Sequence, residues 1–391
     1  MMQRSIHSKA ALYCFLSFFF LIVCMGKATI MQAALANSLT ICLTTILPSL
    51  TAMMILTRIL TESGLLEQWN FLFGRLFHFL FRLPANFCSI FFISQIAGYP
   101  VGAAMLRPYF QTHANAKKEL SAITSVCFGG GPAFLIGTVG AQFSNHRPCM
   151  YLFLSGFLAN ALLAIVLGRC ISISEPPLSA KPISFSAELL VSCTRQASQN
   201  LLGVCSMILC CAAPIGMLNS MSCWNWISEQ IAEFCTASPR QVQTICNTFL
   251  EISNICTLFV SDSHILPILA GLLSFGGICV LLQVSAVTHG QCQFGILFGM
   301  RFLAGCLSAG FCWLLLQLVP LPEATTASLS SSAQAVMSPA VSWSGNSCMP
   351  GLFLTFMIVL FLLSCDKKSS SSSTISVSYP HLRAHETLSD L

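Results

Sequence analysis

Gly98-Tyr99-Pro100-Val101-Gly102 lies within the charge-free stretch 83–106, and Gly129-Gly130-Gly131-Pro132 lies within another, 120–146. Glycine readily adopts backbone angles that end a helix, and proline removes a helical N–H donor. Each run therefore interrupts an apolar segment that would otherwise read as one helix. In lipid, the N–H and C=O groups freed by such a break are tolerated only where protein or a water-filled cavity surrounds them. The C-terminal half repeats the pattern in looser form. Residues 242–260 are interrupted by Glu251-Ile252-Ser253-Asn254, and residues 265–288 carry Gly276-Gly277 near their centre. Interrupted apolar segments at matching places in two halves are a sequence sign of a transporter built from repeats.

Composition fixes the setting of these breaks. Only 8% of the 391 residues are charged and 55% are apolar, whereas a soluble domain carries about 25% charged residues. A soluble enzyme, a disordered chain and a nucleic-acid binder are excluded. The fold class expected is an all-α polytopic membrane protein. Twenty-one cysteines are present, none in a C-x-x-C pair. Most, such as Cys42, Cys88, Cys205, Cys210, Cys279 and Cys306, lie in apolar runs and read as small packing residues.

Charge-free windows of about 20 residues locate the spans. Eight are expected: 10–26, 35–57, 120–146, 148–168, 200–221, 265–288, 294–319 and 350–364, with 85–106 and 242–260 re-entrant. With the N-terminus inside, fourteen of the eighteen basic residues fall on the cytoplasmic side. Lys27, Arg147 and Arg240 fall outside, and Arg301 lies within a span. This satisfies the positive-inside rule. The two re-entrant segments then enter from opposite sides, which makes the halves inverted repeats. Arg4 and Lys9 precede the first run, and no small-x-small cleavage site follows it, so an uncleaved helix is expected rather than a signal peptide. The domain reading is an N-terminal helix (1–34), a first repeat (35–171), a cytoplasmic linker (172–199), a second repeat (200–320), a Ser/Ala-rich loop (321–349), a last helix (350–365) and a disordered tail (366–391). Arg75, His78 and Arg82 recur at spacings of three and four within the apolar segment 65–83. That predicts an amphipathic helix in the membrane interface with its cationic side toward the headgroups.

Backbone exposed at the breaks makes Gly98, Tyr99, Pro100, Gly102, Gly129, Gly130, Gly131 and Pro132 candidate substrate-lining residues, since half-helix N-termini suit anions. Close helix packing is the other use of such glycines. Ionisable residues inside membranes are usually functional. Glu251 could carry a proton or hold a cation, or cap the exposed backbone, and Ser253, Asn254, Gly276 and Gly277 lie at the same breaks. Arg301 could pair with Glu251, bind an anionic substrate or snorkel to the surface. Gln283 and Asn160 could bond across helices or reach substrate, while His264 and His289 flank a span. No metalloprotease H-E-x-x-H and no P-loop occurs, so no catalytic residue, metal ligand or cofactor is expected.

The segments Gly98-Tyr99-Pro100-Val101-Gly102-Ala103 and Gly131-Pro132-Ala133-Phe134-Leu135-Ile136-Gly137-Thr138-Val139-Gly140 together resemble the YlbJ-type sporulation integral membrane proteins of the nucleoside-recognition, or Gate, family. Phe249-Leu250-Glu251-Ile252 and Phe275 to Val284 are similar to the same family. The chain departs from its pattern at Cys127-Phe128-Gly129-Gly130 and at Ser253-Asn254. The resemblance implies a transporter of a small, anionic solute such as dipicolinate, acting in endospore formation from the bacterial cell membrane or a forespore-surrounding membrane. Nucleoside transport and a non-transporting scaffold for spore assembly are the other readings. The partners expected are the bilayer and a small-molecule substrate, with no nucleic acid, and nothing in the pattern excludes a homo-oligomer. The end of the tail, from Tyr379, resembles a peptide appended to unrelated translated sequences and is assigned no function.

Overall fold

The computed structural model describes residues 25–140, 147–171, 183–235, 237–258 and 265–321. The expected spans 10–26 (apart from its last two residues) and 350–364 lie outside the described residues, as do the Ser/Ala-rich loop, the tail and His264. The chain divides into two units, Met1–Ser344 and Gly345–Leu391, and every described residue belongs to the first.

The described residues form helices and no strands. Helix α1 (Ala28–Ile41) continues through a π-turn (Cys42–Ile46) into α2 (Leu47–Glu62). Helix α3 (Leu65–Phe81) follows. The first half then runs through α4 (Cys88–Ala97), α5 (Val101–Thr112), α6 (Lys117–Val126), α7 (Pro132–Gly137) and α8 (Arg147–Cys170). Helix α9 (Ala187–Asn219) leads to α10 (Ser222–Cys235) and α11 (Pro239–Leu250), then a 3-10 turn (Ile252–Thr257). The second half ends in α12 (Leu266–Phe275), α13 (Gly277–Val287) and α14 (Phe294–Leu318).

Five stretches are long and apolar enough to cross a membrane: 28–62, 147–170, 187–219, 266–287 and 294–318. They contain, or nearly coincide with, the expected spans 35–57, 148–168, 200–221, 265–288 and 294–319. The 120–146 stretch differs. The Gly129–Pro132 run divides it into α6 and α7, of 10 and 6 residues, and neither reaches the ~20 that a crossing needs. Segment 85–106 likewise divides at Gly98–Pro100 into α4 and α5, and 242–260 ends its helix at Leu250.

Helix α3 corrects a simple two-faced picture. Leu66, Asn70, Gly74, Phe77 and Phe81 make the buried stripe. Phe71, Leu72, Leu76 and Phe79 are exposed, on the same outward surface as Arg75 and His78. Apolar and basic side chains thus share the side that lipid would cover. Arg82 adopts a left-handed conformation (φ 55°) that stops the helix, and the chain turns through 107° into residues 85–97.

The core positions the breaks. Helix α9 lies along α1 and α2, while α14 packs on α12, α8 and α6. Gly271 and Gly305 allow a close approach of α12 and α14, because a Cβ on Gly305 would lie 2.9 Å from the Gly271 carbonyl oxygen. Small residues serve this purpose in membrane helices. Cys42, Cys88, Cys205 and Cys279 are buried packing residues, while Cys210 and Cys306 are exposed.

Candidate functional site

Within the first half the two breaks cross. Gly98 has φ +82° and lies so close to the second break that a Cβ there would sit 3.2 Å from the Gly131 nitrogen. A Cβ on Gly131 would meet the Ile96 carbonyl, and one on Gly102 would collide with the Cys127 carbonyl. Pro132 opens α7 at its first turn, where a missing N–H costs nothing. In the second half, Gly277 is pressed against Ile252, with a Cβ 3.1 Å from that nitrogen. The two pairs then meet each other. A Cβ on Gly276 would lie 2.6 Å from the Phe128 ring, and the Tyr99 hydroxyl donates to the Leu273 carbonyl at 2.8 Å.

Two half-helices, α6 and α12, end at this junction. Their last carbonyls have no partners within the helix and must be satisfied from elsewhere. At the α6 end, Gln95 Nε2 donates to the Val126 carbonyl at 3.0 Å, and Arg301 Nη1 donates to the Ser125 carbonyl at 2.7 Å. At the α12 end, Tyr99 takes the Leu273 carbonyl and Arg301 Nη2 takes that of Ser274. Nη2 also reaches Ser274 Oγ at 3.1 Å, and Nη1 reaches Asn160 Oδ1 at 2.7 Å. Asn160 Nδ2 passes the network on to Gln95 Oε1 at 2.8 Å and to the Phe128 carbonyl at 2.7 Å. The guanidinium carbon lies 4.4 Å from the centre of the Phe128 ring.

Arg301 is therefore fully buried and does not snorkel. It makes no ion pair with Glu251, because its donors go to carbonyls, an amide and a hydroxyl. The Glu251 carboxylate turns back on its own segment. It accepts from the Ser253 N–H at 3.0 Å, from the Ser253 hydroxyl, and from Asn254 Nδ2 at 3.4 Å. Asn254 also donates to the Glu251 carbonyl at 3.0 Å.

Two cavities matter here. The smaller, about 30 Å³, is lined by Gly98, Tyr99, Gly131, Glu251, Ser253 and Gln283 together with apolar side chains. It has room for a water or two. The larger, about 430 Å³, lies between α2, α5, α9 and α13 and includes Pro100, Gln199, Asn200, Ser206 and Gln283 in its lining. That volume is in the range of small-molecule sites, ~300–1,000 Å³. Gln283 and Val204 line both. Gly129 and Gly130 line a third, water-sized space beside Asn160 and Ser274. All fifteen candidate residues thus gather around one junction, but in distinct roles. Gly102, Pro132, Gly276 and Gly277 make the breaks possible, and Arg301 holds the half-helix ends. Glu251, Ser253 and Gln283 face space. Among the described residues, His289 lies past the end of α13, away from the junction.

Residues 43–166 match the family model of the Gate domain, described as nucleoside recognition. No curated protein and no solved structure matches the chain. The matched range holds both broken segments of the first half. It ends before Glu251, Gln283 and Arg301. Together with the apolar spans, it makes the chain a multi-pass α-helical membrane protein.

Proposed function

We propose that the protein carries a small polar solute across the membrane, using the 430 Å³ cavity as its binding compartment and the Glu251 cavity as its inner pocket. The observation that carries this reading is the convergence of breaks from both halves beside two cavities that share Gln283 in their walls. The two halves act as inverted repeats that rock about this junction. The larger cavity reaches Arg58 and Glu62 at the end of α2, Pro108 in α5 and Val287 at the end of α13. The positive-inside assignment puts Arg58, Glu62 and Pro108 on the cytoplasmic side, so the cavity faces inward.

Charge narrows the solute. Arg301 is committed to backbone, and Arg58 pairs with Glu62 at 3.9 Å. An anion in the larger cavity would find there only Arg58, already paired with Glu62, and would lie beside the water-sized pocket that holds Glu251. A neutral polar solute such as a nucleoside meets no such opposition, and we favour it over the dipicolinate dianion implied by the YlbJ-type resemblance. Action in endospore formation is proposed on that resemblance. Uptake into proteoliposomes, with nucleosides and dipicolinate compared side by side, tests the reading. Gln283→Leu should lower uptake by roughly two- to tenfold, the effect of losing one neutral hydrogen bond of ~0.5–1.5 kcal/mol, and Glu251→Gln by about tenfold or more, the effect of losing a charge-assisted one of ~1.5–3 kcal/mol. Uptake of dipicolinate alone would reverse the assignment of charge. Absence of uptake of any solute would favour the scaffold reading.

A further inference from the structure

Arg301 is held between the carbonyl ends of two half-helices. In transporters with broken helices, unwound carbonyls and half-helix C-termini coordinate the coupling Na⁺. Here the ends of α6 and α12 point their Ser125 and Ser274 carbonyls at one spot. Each helix end carries about −0.5 of an elementary charge, so the two together present about one negative charge. Asn160 Oδ1 and the face of Phe128 add acceptor character, and no carboxylate joins them. A single buried guanidinium satisfies that set. It enters from α14, about 10 Å along from Phe294 at ~1.5 Å per residue. Its Nε has no hydrogen-bond partner, so its bonds are concentrated on the two terminal nitrogens that touch the helix ends.

We propose that Arg301 is a tethered cation, occupying a carbonyl-lined cation site that would otherwise take a free monovalent ion. The consequence is that the native protein neither needs nor binds Na⁺ or K⁺ at this junction, and removing the side chain uncovers a site for a small cation. What this says about coupling rests on the transporter reading above; the cation site itself does not.

The test is thermal unfolding of the purified full-length protein in detergent, with choline, Na⁺, K⁺ or methylguanidinium at equal ionic strength. The wild type should show the same Tm in all four. Arg301→Ala and Arg301→Gln should unfold at lower temperature in choline and regain several degrees in methylguanidinium or Na⁺, saturating with concentration as a bound ligand must. Arg301→Lys, which keeps the charge, should stay indifferent to added cations. Cation-indifferent unfolding of Arg301→Gln would overturn the proposal. If Arg301→Ala fails to accumulate, Arg301→Gln decides alone. A wild-type Tm that rises with Na⁺ while that of Arg301→Gln does not would also overturn it. These readouts use no transport, so failure here is distinct from failure of the uptake experiments.

Discussion

At the residue scale, Gly276 shows how tightly the junction is specified. Its φ of +88° lies in the left-handed region, where a side chain costs about 1–2 kcal/mol. A Cβ would also lie 2.6 Å from two carbons of the Phe128 ring. That ring is buried between Tyr99 and Arg301 and has little room to yield. Gly276→Ala should therefore destabilise the protein by roughly 2–5 kcal/mol, the strain plus an overpacking cost of ~1–3 kcal/mol. Loss of several degrees in Tm would agree; an unchanged Tm would show that the ring moves freely. The contrast between Gly276 and Arg301 also shows what could be read in advance. A glycine pair in an apolar run announces a break because the chemistry is local. Two of the partners of Arg301 are backbone carbonyls, one of them 176 positions away, and no residue type marks those. Burial of Arg301 was nonetheless legible. Leu297, Arg301, Ala304, Gly305, Ser308 and Cys312 form one buried stripe of α14 at helical spacing, and a residue within that stripe faces protein, not lipid.

At the element scale, the half-helices depend on donors supplied by other elements. The α12 end is held by Tyr99 as well as Arg301. Tyr99→Phe would keep the ring against Phe128 but leave the buried Leu273 carbonyl unpaired, at a cost of about 1–3 kcal/mol. A Tm lowered accordingly, with hydrogen exchange increased at α12 before the rest of the fold, is the expected result. Uniform exchange would mean that the hydroxyl holds nothing locally. The break positions followed from glycine and proline, and in 242–260 from the polar run Glu251 to Asn254, but the division of labour between breaks did not. The 120–146 stretch has the length and apolarity of a span, yet its α6 end is tied down by Gln95, Arg301 and the Asn160 bond to Phe128. A charge-free window measures apolarity alone, so it cannot distinguish burial in lipid from burial in protein. Helix α3 shows the same ambiguity from outside, since its basic residues and its exposed phenylalanines occupy one surface.

At the scale of the whole molecule, the site is defined by enclosed volume. The inner pocket of about 30 Å³ is too small for any solute beyond water, so transport requires the compartment of about 430 Å³ beside it. That compartment was partly visible as a polar stripe in α9, where Gln199, Gly203 and Ser206 recur at helical spacing in an apolar span. Gly203 provides a direct test. It lines the large cavity, and a Cβ there would meet no atom within 4 Å, so a larger side chain enters open space without displacing packed neighbours. Replacing a mid-helix glycine also favours the helix by up to ~1 kcal/mol. Gly203→Phe should therefore leave membrane insertion and Tm unchanged or slightly improved, while its ring fills the compartment and abolishes uptake. Unimpaired uptake with intact stability would place the solute path elsewhere. Loss of both stability and uptake would mean that the space is closed by motion in the resting protein. Only loss of uptake with stability retained identifies this cavity as the place where solute is held.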